Sequence, residues 1–144
     1  MIFGQESKLD ETPRDPRRGF LQLCSDRRFH LLTMEAFEDL TGLESDEYWI
    51  EARPGGAPSW ADNTRAARLA YKEGAAHMGW MAHGDDCLGF PRTSNEEMRA
   101  KLARTVRKRA EEFPGAHHYG LFGEGEKIEV VAGPAGSGAL RSDS

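Results

Sequence analysis

Apolar positions in this chain recur with two periods, and the way those periods alternate predicts an α/β fold. Phe20 to Cys24, Tyr48 to Ile50, Met78 to Ala82, His118 to Phe122 and Lys127 to Val131 are compact runs that read as strands. Between them, apolar residues fall three or four apart: Met34, Phe37 and Leu40; then Ala66, Leu69 and Ala70; then Met98, Leu102, Val106, Ala110 and Phe113. That spacing puts one apolar stripe on a helix. End signals agree. Thr33 predicts the N-cap of the first helix, and Gly42 stands just past its end. Ser59 with Asp62 is capping-box-like for the second helix, and Ser94 with Glu97 forms a full box for the third, which Pro114-Gly115 stops. The order β-α-β-α-β-α-β-β predicts a mostly parallel central sheet with right-handed crossovers and helices on both faces, closed at one edge by a C-terminal hairpin.

Length narrows this to one compact domain of 144 residues. Residues 19–132 form the expected domain, residues 1–18 an N-terminal arm that two subunits can exchange, and residues 133–144 a flexible tail rich in Gly, Ala and Ser. No apolar run approaches the roughly 20 residues that span a bilayer. The first residues are polar where an export signal needs an apolar core. The expectation is a cytoplasmic protein without a membrane partner. A net charge of −5 also counts against broad nucleic-acid binding, which depends on neutralising phosphates. Arg99, Lys101, Arg104, Arg107, Lys108 and Arg109 crowd the third helix, and they read as a solvated face bounded by Glu96, Glu97, Glu111 and Glu112.

Candidate chemistry gathers at the ends of two apolar runs. Cys24 and Cys87 are the only cysteines, and His83 stands four residues before the second. Without an export signal the cysteines fit thiols or metal ligands better than a structural disulfide, with a redox pair as the remaining reading. Two sulfurs and an imidazole make three ligands, and three protein ligands leave zinc one open position for chemistry. Cys24, Arg53 and His83 all fall at predicted strand carboxyl ends, where open α/β sheets form their sites.

Cys24-Ser25-Asp26-Arg27-Arg28 resembles the Cys-x-Asp-x-Arg motif of the β-class carbonic anhydrases, and His83 with Cys87 resembles that family's His-x-x-Cys zinc pair. The likeness runs from about Phe20 to Val131. It departs in two places. Gly84, Asp85 and Asp86 put three residues between His83 and Cys87 where the family has two, and Arg53-Pro54-Gly55-Gly56 replaces a common Asn-Ala-Gly turn. Two outcomes of the insertion are open: flexible Gly84 absorbs it, or Cys87 is re-aimed and Asp85 or Asp86 takes its place as a ligand.

The resemblance implies zinc held by Cys24, His83 and Cys87, with metal-bound hydroxide converting CO2 reversibly to bicarbonate. It implies that Asp26 orients the hydroxide and that Arg28 holds Asp26 ionised. A closed arrangement in that family puts the motif aspartate on the metal, which here means Asp26 leaving Arg28. The family also implies a homodimer. Two rivals stay open: a zinc hydrolase of CS2 or COS on the same scaffold, and a non-catalytic binding or assembly module with structural or absent zinc. His30, His77, His117 and His118 read as surface or packing residues, and Trp49, Trp60 and Trp80 as core or interface aromatics.

Overall fold

The computed structural model describes residues 12–59 and 63–135. In chain order they form β1 (Asp15–Cys24), a 3-10 turn (Arg27–Phe29), α1 (His30–Thr41), β2 (Tyr48–Arg53), α2 (Arg65–Lys72), β3 (Ala75–His83), α3 (Asn95–Glu112), β4 (His117–Glu124) and β5 (Lys127–Ala135). The strands lie in the order β2-β1-β3-β4-β5. β1 to β4 run parallel, and β5 returns antiparallel to β4. This is the mostly parallel sheet with a C-terminal hairpin that the periodicity predicts.

Helices cover both faces. Phe20, Met78, Trp80 and Ala82 pack against Ala67, Ala70 and Tyr71 of α2 and Met98, Leu102 and Val106 of α3. On the other face, Leu21, Leu23, Met81, Tyr119 and Leu121 meet Phe29 and Phe37. β3, with neighbours on both edges and helices on both sides, is buried along almost its whole length. Its continuous apolar sequence follows from that position.

Local boundaries shift where tertiary contacts overrule local signals. α1 starts at His30, so Thr33 lies inside it and its hydroxyl donates to Phe29 O at 2.6 Å instead of capping. The start is set by the 3-10 turn, whose N-cap is Asp26; Gly42 ends α1 in the left-handed conformation as predicted. α2 starts at Arg65, not near Ser59, which sits in a turn; Asp62 lies outside the described residues. Its buried stripe is Ala67, Ala70 and Tyr71, while Leu69 points outward. The Ser94–Glu97 capping box forms as predicted. β1 takes in Asp15 to Arg18, residues assigned above to the arm, and β5 runs past 132 to Ala135; residues 1–11 and 136–144 lie outside the described residues.

The winding positions the site. From β1 the chain crosses to β2 on one side, then returns to β3 on the other. The winding reverses between β1 and β3, and such a switch point leaves a crevice at the strand carboxyl ends. Cys24, Arg53 and His83 are the last residues of β1, β2 and β3.

Candidate metal centre

β1 and β3 pair in register, with Gln22 opposite Trp80, so their carboxyl ends deliver Cys24 and His83 side by side. The chain then turns back to bring in Cys87. One donor atom from each residue falls within 4.8 Å of the others, and all three residues are buried. His83 Nε2 lies 3.2 Å from Cys24 Sγ. On the far side of the ring, Nδ1 is 2.6 Å from Gly84 O. A carbonyl accepts only from a protonated nitrogen, so this contact leaves the Nε2 lone pair facing the sulfurs. Phe29 stacks on the imidazole at 4.6 Å between ring centres and fixes its plane.

This donor set fits zinc. Tetrahedral ligands at about 2.3 Å (sulfur) and about 2.1 Å (nitrogen) stand roughly 3.5 to 3.8 Å apart, a spacing the trio spans. Its electrostatics favour an anionic sulfur. The Cys87 thiol hydrogen bonds to Cys24, and this contact, helped by the backbone N–H groups of Asp26 and Gly55, holds the Cys24 thiol well below its usual range despite its burial. Cys87 shifts the other way, because it shares its proton with Cys24 and is buried. Backbone N–H groups aimed at a thiolate serve equally as outer partners of a metal ligand. Gly56, with φ of +69°, lets this loop lie against β3: a Cβ there would stand 2.3 Å from Met81 O.

Beside the trio lies an ion pair. Arg28 Nε donates to both oxygens of Asp26 at 3.1 Å, and Nη2 donates to Oδ2 at 2.7 Å. Asp26 Oδ2 is 3.7 Å from His83 Nε2. The Arg28 guanidinium holds the Asp26 carboxyl down to about 2. A cavity of about 430 Å³ opens here, lined by Cys24, Ser25, Asp26, Arg27, Pro54, Leu88 and Gly89. Leu88 at this mouth is 90% exposed.

The extra residue of the His83–Cys87 segment is accommodated in a way the sequence did not indicate. Gly84 does not carry the bend. Asp85 and Asp86 do, with φ of 56° and 64°, a left-handed pair that aspartate tolerates better than most residues. Gly84 is needed for space instead: a Cβ there would lie 2.1 Å from Asn95 Oδ1. The segment therefore loops outward and still returns Cys87 to the trio, and neither aspartate joins that group. Arg53 faces away from the trio and braces β2, its Nη2 donating to Gln22 Oε1 at 2.7 Å and Asn63 O at 2.9 Å. His30 Nε2 sits 3.0 Å from Cys24 O, and His118 is buried between Trp80 and Phe113. Phe29 and Asn95 were missed from sequence. Phe29 adjoins the motif, but Asn95 carries no local signal, since its role depends on where α3 docks.

Fold and trio together define an α/β protein with a Cys-His-Cys cluster suited to a metal at its topological switch point. No family model matches the sequence, and no curated protein matches it. Solved structures do. β-carbonic anhydrase isoform I of Trichomonas vaginalis is 15% identical at a TM-score of 0.56, covering 92% of this chain and 96% of that one. The carbonic anhydrase of Streptococcus mutans is 13% identical at a TM-score of 0.54, covering 91% and 95%. A carbon disulfide hydrolase in its apo form is 15% identical at a TM-score of 0.52, covering 89% and 85%. At these identities the likeness is one of fold: the chain has the β-carbonic anhydrase fold along nearly its whole length.

Proposed function

We propose that this chain binds zinc through Cys24, His83 and Cys87 and catalyses the reversible hydration of CO2 to bicarbonate as a homodimer in the cytoplasm. The observation that carries this reading is that the Asp26–Arg28 pair stands beside the trio, with Asp26 Oδ2 3.7 Å from His83 Nε2, where Cys24 and Asp26 line one cavity. Zinc held by Cys24, His83 and Cys87 would supply a Lewis acid that lowers the pKa of water toward about 7.

The chain's own residues do the rest. Asp26 stays ionised at working pH, so it accepts a hydrogen bond from the attacking water and aims the oxygen lone pair into the cavity. A carboxylate held at about 2 is too weak a base to remove the proton; its work is orientation. Arg28 fixes that carboxylate through two parallel bonds, which adds geometric specificity to charge. Pro54, Leu88 and Gly89 offer apolar surface to an uncharged linear substrate. Leu88, and Leu31 at 72% exposure in the first turn of α1, are apolar surfaces for a second subunit to cover.

A second reading rests on the carbon disulfide hydrolase that shares the fold: the same residues would act on CS2 or COS, with the cavity mouth selecting the substrate. Metal content together with stopped-flow CO2 hydration and CS2 consumption across pH separates the two, with Cys24→Ser as control. The expected result is about one zinc per chain, hydration rising with pH, and loss of both in Cys24→Ser. Bound zinc with CS2 consumed and CO2 untouched establishes the second reading. Bound zinc with neither reaction at alkaline pH leaves a non-catalytic module.

A further inference from the structure

The residue that this chain has in excess between His83 and Cys87 creates a connection as well as a bulge. Asp85 uses every polar group it has. Its backbone N–H donates to Asn95 Oδ1 at 2.9 Å. Its Oδ2 accepts the Gly125 N–H at 2.7 Å, and its Oδ1 lies 3.5 Å from Asn95 Nδ2. Its carbonyl accepts from Arg28 Nη2 at 3.3 Å. Four parts of the molecule meet at this one residue: the metal-ligand loop, the first residue of α3, the β4–β5 turn and the Arg28 clamp.

Both anchors are themselves rigid. Asn95 follows Ser94, whose side chain accepts from Glu97 N while Glu97 accepts from Ser94 N. Gly125 sits in the tight turn between two paired strands. A left-handed backbone at a residue with a side chain persists only where its surroundings over-determine it, and four polar contacts do so here. The same nitrogen, Arg28 Nη2, reaches Asp26 Oδ2 on one side and Asp85 O on the other. Displacing Asp85 thus removes a contact that aims the guanidinium and loosens the loop between two ligands.

We propose that Asp85 is a positioning residue that locks the Arg28–Asp26 pair and the His83–Cys87 loop to a common frame made by α3 and the β4–β5 turn. It touches neither metal nor substrate. The proposal rests on the reading of the trio as a zinc site, and two of its three tests stand without any catalysis.

The variants are Asp85→Ala, Asp85→Asn and Asn95→Ala in the full chain, each checked for a cooperative unfolding transition. Asn95→Ala serves if Asp85→Ala does not fold. In NMR spectra of the zinc-loaded protein, the Arg28 Nε–H should exchange with solvent at least about 10-fold faster in Asp85→Ala and Asn95→Ala. Zinc affinity, from chelator competition, should fall about 10-fold in both, because the loop that joins two ligands loses its fixed path, an effect at the lower end of that for losing an outer partner of a ligand. Asp85→Asn should restore both signals, because an amide oxygen still accepts from Gly125 N–H and asparagine adopts left-handed backbone readily. For CO2 hydration with every variant saturated with zinc, Arg28→Ala/Asp85→Ala should be no slower than Arg28→Ala alone. An unchanged Arg28 signal in Asp85→Ala, an Asp85→Asn protein as impaired as Asp85→Ala, or additive losses in the double variant would overturn the proposal. A parent protein that binds zinc but hydrates no CO2 defeats the catalytic reading alone, since the exchange and affinity tests still decide the role of Asp85.

Discussion

Asp26 does two jobs with one carboxylate: it caps the 3-10 turn through Arg28 N and grips the Arg28 side chain. The backbone cap leaves the turn with a local reason to form even when the guanidinium is removed. Arg28→Ala is therefore expected to keep its zinc and its fold while losing about 10- to 100-fold in CO2 hydration, measured by metal analysis and stopped flow on one preparation. Loss of zinc along with activity would mean that the pair is needed to assemble the trio. At this scale the sequence was highly legible where contacts are local. Cys24, Asp26 and Arg28 form a five-residue motif whose spacing states its geometry. Between His83 and Cys87 the spacing gave the number of residues but not their path, because the path is chosen by Asn95 and Gly125, which lie 10 and 40 residues beyond Asp85.

Among the elements, β3 and β4 bear a buried histidine contact that makes stability depend on acid. His118 accepts from Trp80 Nε1 at 3.0 Å through Nδ1, and its Nε2 lies 2.9 Å from Phe113 O, which accepts its proton. The ring is thus neutral and has no room for a second proton. Burial pushes its pKa from 6.5 down to about 4. Because the unfolded chain binds the proton more tightly, this contribution to stability is complete above pH 6.5 and is lost progressively as pH falls toward about 4. His77, half-buried beside His117 and likewise brought to about 4, adds in the same direction. Thermal melts between pH 7.5 and 4.5 should show a falling midpoint, with a shallower slope in His118→Gln. Helix α3 offers a second check. Ser94→Ala removes its capping box at a cost of about 1 kcal/mol, seen as a lowered denaturation midpoint. Strand and helix types were legible because their periods are strong. The start of α1 was not, since the cap at Asp26 belongs to a turn whose purpose is the site; nor was the outward Leu69 of α2, where Tyr71 takes the buried place.

For the whole molecule, the open cavity and the exposed Leu88 and Leu31 lead to the expectation that two chains associate. Sedimentation should give twice the chain mass, and Leu88→Glu should shift the protein toward single chains without loss of zinc. A monomeric parent would remove the homodimer from the reading. The sheet order was legible as a class, β-α-β units giving parallel strands, and the placement of Cys24, Arg53 and His83 at strand ends followed from it.

Cys24 and His83 touch across a separation of 59 residues, and the adjacency of β1 and β3 has a consequence for folding order. Bringing such distant segments together carries a large loop-closure entropy before any contact rewards it. The β4–β5 hairpin, joined by a tight turn, closes early by comparison. The end of the sheet that carries Cys24 and His83 should therefore be among the last parts to assemble and, without metal, among the first to open. An ion that binds only the finished arrangement acts as a late clasp: above its dissociation constant, each tenfold rise in free zinc should add about 1.4 kcal/mol to stability. Amide exchange with and without chelator would show that protection is lost first at Ser25 to Phe29 and at Gly84 to Phe90, while the hairpin keeps its own.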